Sequence, residues 1–441
     1  MSEKKMNNLF SYDAKASLKE VAPLGLQHVV AAVVGIVTPA IIIGGACDLN
    51  EQEITLLIQT SLLFAGIATL LQVFPLFRRF GAGLPVMMGA SFAYVPILKT
   101  IGEGFGIGAI FGSQLVGSLL VLVIGLFIKK IRVLFPPIVT GTVILSIGFS
   151  LFSVAIGYMA GGVGSPDIGS PKNWLVAMVT FGVVFYFTNF SKGPLKLSSI
   201  LNGMVVGYLL SLALGMVDFT SVKEAGMFQI IKPLPFKLKF EIIPILTLMI
   251  MFIVDAVQAI GQFTATTTGA MDRQPTDKEL SGGIMGSGLT NFVGGLFGSV
   301  PVATFGQNVG LVISTKAINK YVFAFASTIL LIAGFIPKIS ALLTTIPYSV
   351  IGGATVSVFA TIAMTGIKTI SQEKLTPENT CIVGLSLAFG IGIKLTPNSL
   401  AGFPDWVQTI FGSSEVVVAT IFAVVLNLLL NHLKPKLAKE D

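Results

Sequence analysis

Stretches of about twenty residues with almost no charged side chain recur along the whole chain, each long enough to cross a bilayer as a helix. In lipid, backbone N–H and C=O groups find no water, so such a chain is confined to packed membrane helices. The proportions agree, with 53% hydrophobic and 11% charged residues and a mean hydropathy of +0.87. A soluble domain carries about a quarter charged residues. Apolar windows fall near 22–44, 53–74, 104–128, 134–156, 173–189, 195–216, 241–264, 282–299, 321–340, 347–367, 379–394 and 413–432. Two more, about 84–100 and 301–316, are apolar but short and interrupted. The expected fold is an all-α polytopic membrane protein with fourteen transmembrane segments.

Basic residues alternate between connections as the positive-inside rule requires, with about 20 of the 28 Lys and Arg gathered on one side. Both termini are therefore expected in the cytoplasm, in a multi-pass protein of the cell membrane. Loop 217–240 breaks the pattern by carrying Lys223, Lys232, Lys237 and Lys239, yet a long Pro-containing loop can translocate despite its charge. The first apolar stretch begins only near residue 22 without a small-residue cleavage site, so no removable signal peptide is expected. The net charge of +7 then reflects the membrane rather than a nucleic-acid partner. Cys47 and Cys381 lie far apart, and His28 and His432 are the only histidines, so neither a disulfide framework nor a metal site or cofactor is expected.

An internal repeat organises the chain. "GLPVMMGASFAYVP" (83–96) matches "SVPVATFGQNVGLV" (299–312), with Pro85 and Pro301 heading equivalent Pro-Val pairs, and "PPIVTGTVILSIG" (136–148) echoes "IPYSVIGGATVSV" (346–358). Two halves of seven spans follow, and because seven is odd the second half enters the membrane inverted. Short Pro/Gly-interrupted segments at matching positions of inverted halves point to a transporter's midplane site. Proline removes a donor and glycine admits unusual dihedrals, so each segment is expected to break into an extended piece and a half-helix. The plainer alternative is a pair of short packing helices.

Polar residues inside apolar spans narrow the site. Asp255 is the one carboxylate deep within a span, a position kept for proton relay or for bonding a neighbouring helix. Gln258 and Gln262 follow on the same helical face. His28 sits in the first span as a relay or a supporting core residue. In the interrupted segments, Ala90, Ser91 and Phe92 face Gly306, Gln307 and Asn308 in the repeat, and the Phe92 ring suits a flat ligand or simple packing. The Gln307 amide offers two donors and an acceptor, the pattern that pairs with a nucleobase edge.

"QNVGLVISTK", Gln307 to Lys316, resembles the signature of the nucleobase–ascorbate transporter family, and the likeness extends along nearly the whole chain. "LQH" in the first span, "GASFAYV" in the third and "VQAIGQFTAT" in the eighth resemble that family's motifs. The resemblance implies a core domain (1–132 and 241–343) and a gate domain (133–240 and 344–441), elevator-like movement and a homodimer. It implies uptake of xanthine, uric acid or uracil with protons, sodium being the alternative ion. Substrate contacts fall to Gln307, Gln258, Phe92, the backbone at Gly306 and Ala90. Gln at position 307 is typical of carriers of oxidised purines. Two family carboxylates are replaced, by Gln258 and Ser287, and the position of Gln262 is often Asp or His. Asp255, one turn from Gln258, is left to couple the ion, with His28, Asn308, Gln262 and Ser287 in support.

The expected function is import of an oxidised purine coupled to protons. A uracil permease of the same family and an anion exchanger on the same architecture are the alternatives. No nucleophile–base set or phosphate loop is present to suggest an enzyme.

Overall fold

Reciprocal caps fix where the helices begin. Asn50 accepts from the Glu53 N–H at 3.0 Å while Glu53 accepts from the Asn50 N–H at 3.0 Å. Thr276 and Glu279 repeat the arrangement, and proline occupies the first turn of three long helices. The computed structural model describes residues 8–127, 135–162, 165–192, 194–396, 398–404, 407–408, 411–412 and 414–433. The expected cytoplasmic cations Lys4, Lys5, Lys129, Lys130, Arg132, Lys434, Lys436 and Lys439 lie outside them.

In chain order the principal elements are α1 (Leu18–Ala46), α2 (Glu51–Val73), β1 (Met88–Ala90), α3 (Val95–Phe105), α4 (Ile107–Leu126), α5 (Pro137–Met159), α6 (Pro171–Phe190) and α7 (Ser199–Ala213). Then come α8 (Ile242–Ala270), α9 (Asp277–Leu296), β2 (Val302–Thr304), α10 (Gly306–Thr315), α11 (Lys320–Gly334), α12 (Pro337–Thr344), α13 (Tyr348–Ile370), α14 (Pro377–Leu395) and α15 (Glu415–Asn427), with a π-helical turn Leu428–Leu433. Among the described residues, eight helices are long and apolar enough to cross a membrane, or nine with the bent α11–α12 pair. The protein is thus a helical, polytopic membrane protein. The window 321–340 reads as one span, but the chain turns 83° between α11 and α12, where Pro337 starts the second helix.

Small residues let the helices approach closely. α5 packs along α13, and a Cβ on Gly366 would stand 2.5 Å from the Leu145 nitrogen. α4 lies along α8 and α9, while α11 packs on α1 and α2. Between these helices sits the sole sheet among the described residues, β1 against β2, antiparallel with Gly89 opposite Ala303. Both strands are fully buried.

A buried two-stranded ribbon leaves outer edges that water cannot satisfy. One side chain from each preceding helix does that work. Thr69 of α2 accepts from the Met88 N–H at 2.9 Å. Asn291 of α9 accepts from the Val302 N–H at 2.7 Å and donates to its carbonyl at 2.9 Å. Helix, strand and helix thus follow one another twice, as α2–β1–α3 and α9–β2–α10, with the ribbon joining the two runs.

Candidate functional site

α10 starts beside β2 with Phe305 as its N-cap, extended at φ −87° and ψ 107° and without a side-chain cap. The first N–H groups of a helix have no partner within it, so they face outward for whatever lies there. Gly306 and Gly310 are exposed, and a Cβ on Gly310 would meet nothing within 4 Å. On α8 opposite, Gly261 is equally open. The Gln262 Nε2 lies 3.4 Å from where a Gly306 Cβ would sit, so Gly306 and Gln262 border one opening. Gln258 and Gln262 are half-buried. Gln307 is the second residue of α10, and its side chain lies outside the described residues.

α10 is held at both ends. Asn308 is wholly buried, and its Nδ2 reaches the His28 carbonyl at 3.0 Å and the His28 Nδ1 at 2.9 Å. Only a donor can face a backbone carbonyl, which sets the amide's orientation and makes Nδ1 the acceptor. The ring proton then resides on Nε2. The Asn308 Oδ1 is left without a hydrogen bond. At the other end Lys316 closes the helix in the left-handed region (φ 56°), and its Nζ donates to the Gly269 carbonyl of α8 at 2.6 Å.

The remaining predicted residues are distributed as follows. Ala90 ends β1 fully buried, and Ser91 accepts from the Ala93 N–H at 3.2 Å. Phe92 meets Phe359 of α13 edge-on, with centroids 5.0 Å apart. Asp255 is 6% exposed, and the Tyr94 hydroxyl approaches it without closing a hydrogen bond of ordinary geometry. Tyr94 is the N-cap residue of α3, and its ring lies 5.3 Å from that of Phe252. Asp255 thus faces α3, whereas Gln262 faces α10. Ser287 receives the Gln72 amide at 3.2 Å; that amide also reaches the Gly283 carbonyl at 2.8 Å, while Gln72 Oε1 accepts from the Ala82 N–H. Ser287 therefore belongs to a knot joining α2, α9 and the turn before β1.

Sequence reasoning missed Thr69, Gln72, Tyr94 and Asn291. Asn291 carried a signal, as the one side-chain amide of α9, but nothing in the chain paired it with Val302. Two hollows lie elsewhere. One of about 250 Å³ is apolar and runs between α1, α7 and α12; the other, about 680 Å³ and polar, runs from the start of α2 to residues 220–229.

Residues 19–399 match the family model Xan_ur_permease, described as "Permease family". The uric acid permease PucJ of Bacillus subtilis (strain 168) is 37% identical over 422 residues, covering 94% of this chain and 93% of its own. The xanthine permease of the same organism is 36% identical over 410 residues, 92% of this chain and 93% of its own. The uric acid transporter UacT of Escherichia coli (strain K12) is 33% identical over 413 residues, 92% of this chain and 85% of its own. Among solved structures, the transmembrane domain of the cyanobacterial bicarbonate transporter BicA aligns with a TM-score of 0.58 at 16% identity, over 93% of this chain and 99% of that one. SLC26A9 aligns with a TM-score of 0.62 at 12% identity, over 94% and 66%. These two likenesses establish the fold alone. With a helical polytopic fold and a family model spanning most of its length, the chain belongs to the xanthine and uric acid permease family, the nucleobase–ascorbate transporters, and is a transporter rather than an enzyme.

Proposed function

We propose that the chain imports an oxidised purine, xanthine or uric acid, coupled to protons, by elevator-type alternating access. One observation carries the reading: the uncapped start of α10, at the exposed Gly306, and the half-buried Gln262 amide of α8 border one opening. Relatives named for xanthine and uric acid support it. An oxidised purine is flat and rimmed by alternating carbonyl and N–H groups, which amides and free backbone N–H groups can match without a charge. Gln307 and Gln258 take the rim, the backbone at Gly306 and Ala90 completes it, and Phe92 contacts the ring.

Reading β1–α3 and β2–α10 as interrupted segments 3 and 10, with α7, α9, α15 and the α11–α12 pair as further spans, gives fourteen in a seven-plus-seven inverted repeat. Residues 1–132 and 241–343 form the moving core, and 133–240 and 344–441 the gate. The unit is a homodimer with both termini in the cytoplasm. Asp255 carries the proton, with Tyr94 as its neighbour, while His28, Asn308, Gln262 and Ser287 support the site. A uracil permease and an anion exchanger remain weaker readings. The relatives at 33% to 37% identity bear purine names, whereas likeness to the two transporters of known structure is confined to fold.

Uptake of labelled xanthine by cells expressing the protein tests this. Unlabelled uric acid competes, uracil does not, and a protonophore stops accumulation. Asp255→Asn keeps exchange of internal for external xanthine but accumulates none. Uptake blocked by uracil alone contradicts the substrate assignment, and accumulation by Asp255→Asn under a pH gradient contradicts the proton's.

A further inference from the structure

Two segments lead into the two halves of the repeat: residues 8–17 before α1, and 225–241 before α8. Two fastenings of one correspond to two of the other; the second segment is tied once more, where the Gln229 N–H donates to the Phe335 carbonyl at 3.0 Å. In the N-terminal segment the Tyr12 hydroxyl donates to the carbonyl of Val73, the last residue of α2, at 2.6 Å. In the other, the Leu234 N–H donates to the carbonyl of Leu296, the last residue of α9, at 2.7 Å.

The second fastening is at the joint beyond the half-helix of the opposite repeat. The N–H groups of Ile318 and Asn319 donate to the Leu9 carbonyl at 3.0 and 3.2 Å, and that of Lys320 to Tyr12 at 3.1 Å. Asn319, wholly buried, turns its amide nitrogen to the carbonyls of Asn8, Ser11 and Ala14 at 2.9, 3.0 and 2.8 Å. Two N–H bonds are shared among three acceptors there. Across the molecule, the Lys239 N–H donates to the Gly108 carbonyl at 3.0 Å, and Phe236 stacks on Phe111 at 5.4 Å. Gly108 and Gly112 lie so close under the Lys237 and Lys239 carbonyls that neither could carry a Cβ.

The two segments are therefore crosswise clasps, one at each end of the bundle. The N-terminal clasp joins the end of α2, from which β1 follows, to the end of α10. Burial and the nearby Asp13 and Glu279 carboxylates hold the Tyr12 phenol above its usual range, so it stays a neutral donor. α10 has ten residues and no side-chain cap at its start, too short to hold a position unaided.

We propose that Asn319 and Tyr12 are positioning residues for transport, holding α10 in register with β1 through the N-terminal clasp. This rests on the purine opening lying between α8 and α10. A clasp within the core sets the fit of the site rather than the rate of domain movement, so its loss acts on KM and spares Vmax.

Hydrogen exchange on the substrate-free, full-length protein tests this independently of substrate, alongside xanthine uptake. In Asn319→Ala, residues 302–315 exchange about tenfold faster while α5 and α13 keep the wild-type rate, and KM rises about fivefold at a Vmax within about twofold. Tyr12→Phe, which removes one bond and keeps the fold, shifts both in the same direction by less. Exchange at 302–315 unchanged in both variants, faster exchange shared equally by α5 and α13, or a lowered Vmax at constant KM would each overturn the proposal. A wild type that takes up no xanthine sinks the transport reading and leaves the exchange comparison standing.

Discussion

One nitrogen of Asn308 engages His28 twice, at the ring Nδ1 and at the backbone carbonyl, 280 residues away in sequence. The pair ties the start of α10 to the middle of α1. Replacing Asn308 by Asp sets an acceptor against the His28 carbonyl inside a dry contact, a mismatch of about 1–3 kcal/mol or more. Asn308→Asp should lower xanthine uptake at least about tenfold while the amount of protein in the membrane stays near wild type. Immunoblotting of membranes beside uptake separates the two effects.

Asn291 and Thr69 hold the outer edges of the ribbon, and their loss should be felt as stability. Asn291→Ala leaves both the N–H and the carbonyl of Val302 unpaired in the interior, at about 1–3 kcal/mol for each group. Thr69→Val strands the Met88 N–H and removes only a long 3.5 Å bond to the Met88 carbonyl, so it should cost about half as much. Thermal unfolding of the purified protein should rank them in that order below wild type.

Two glycines of similar appearance should behave oppositely. Gly310 faces open space, and alanine favours a helix over glycine by about 1 kcal/mol, so Gly310→Ala should leave stability unchanged or slightly raised. If the purine occupies that space, the added methyl should still raise KM several-fold. Gly366→Ala would press a methyl on the Leu145 backbone and should destabilise by about 1–3 kcal/mol without altering the site. Unfolding temperatures and uptake kinetics on the same two proteins distinguish the cases.

The helical fold was legible because length decides it: runs of about twenty apolar residues leave a membrane chain little freedom. The Pro-Val pairs at Pro85 and Pro301 also marked where regular helix gives way. Contacts between distant side chains were not legible. Gln262 and Gly306 were each singled out, and only the family resemblance put both at one site, with no sign in the chain of which two residues would touch. Ser287 was chosen by likeness to a family carboxylate, whereas its neighbours show a serine tied to Gln72. The bend between α11 and α12 escaped because Pro337 suits a first helical turn as readily as a break within a span. Asn319 carried no signal, since its partners are backbone carbonyls of a polar segment ahead of the first span.

A cryo-electron microscopy map of the full-length protein with xanthine bound tests most directly whether the opening between α8 and α10 is the transport site. The purine should lie against the Gly306 backbone, with its rim at Gln258 and Gln307 and its ring near Phe92. Xanthine density in the apolar hollow between α1, α7 and α12, or anywhere apart from Gly306, would contradict the assignment.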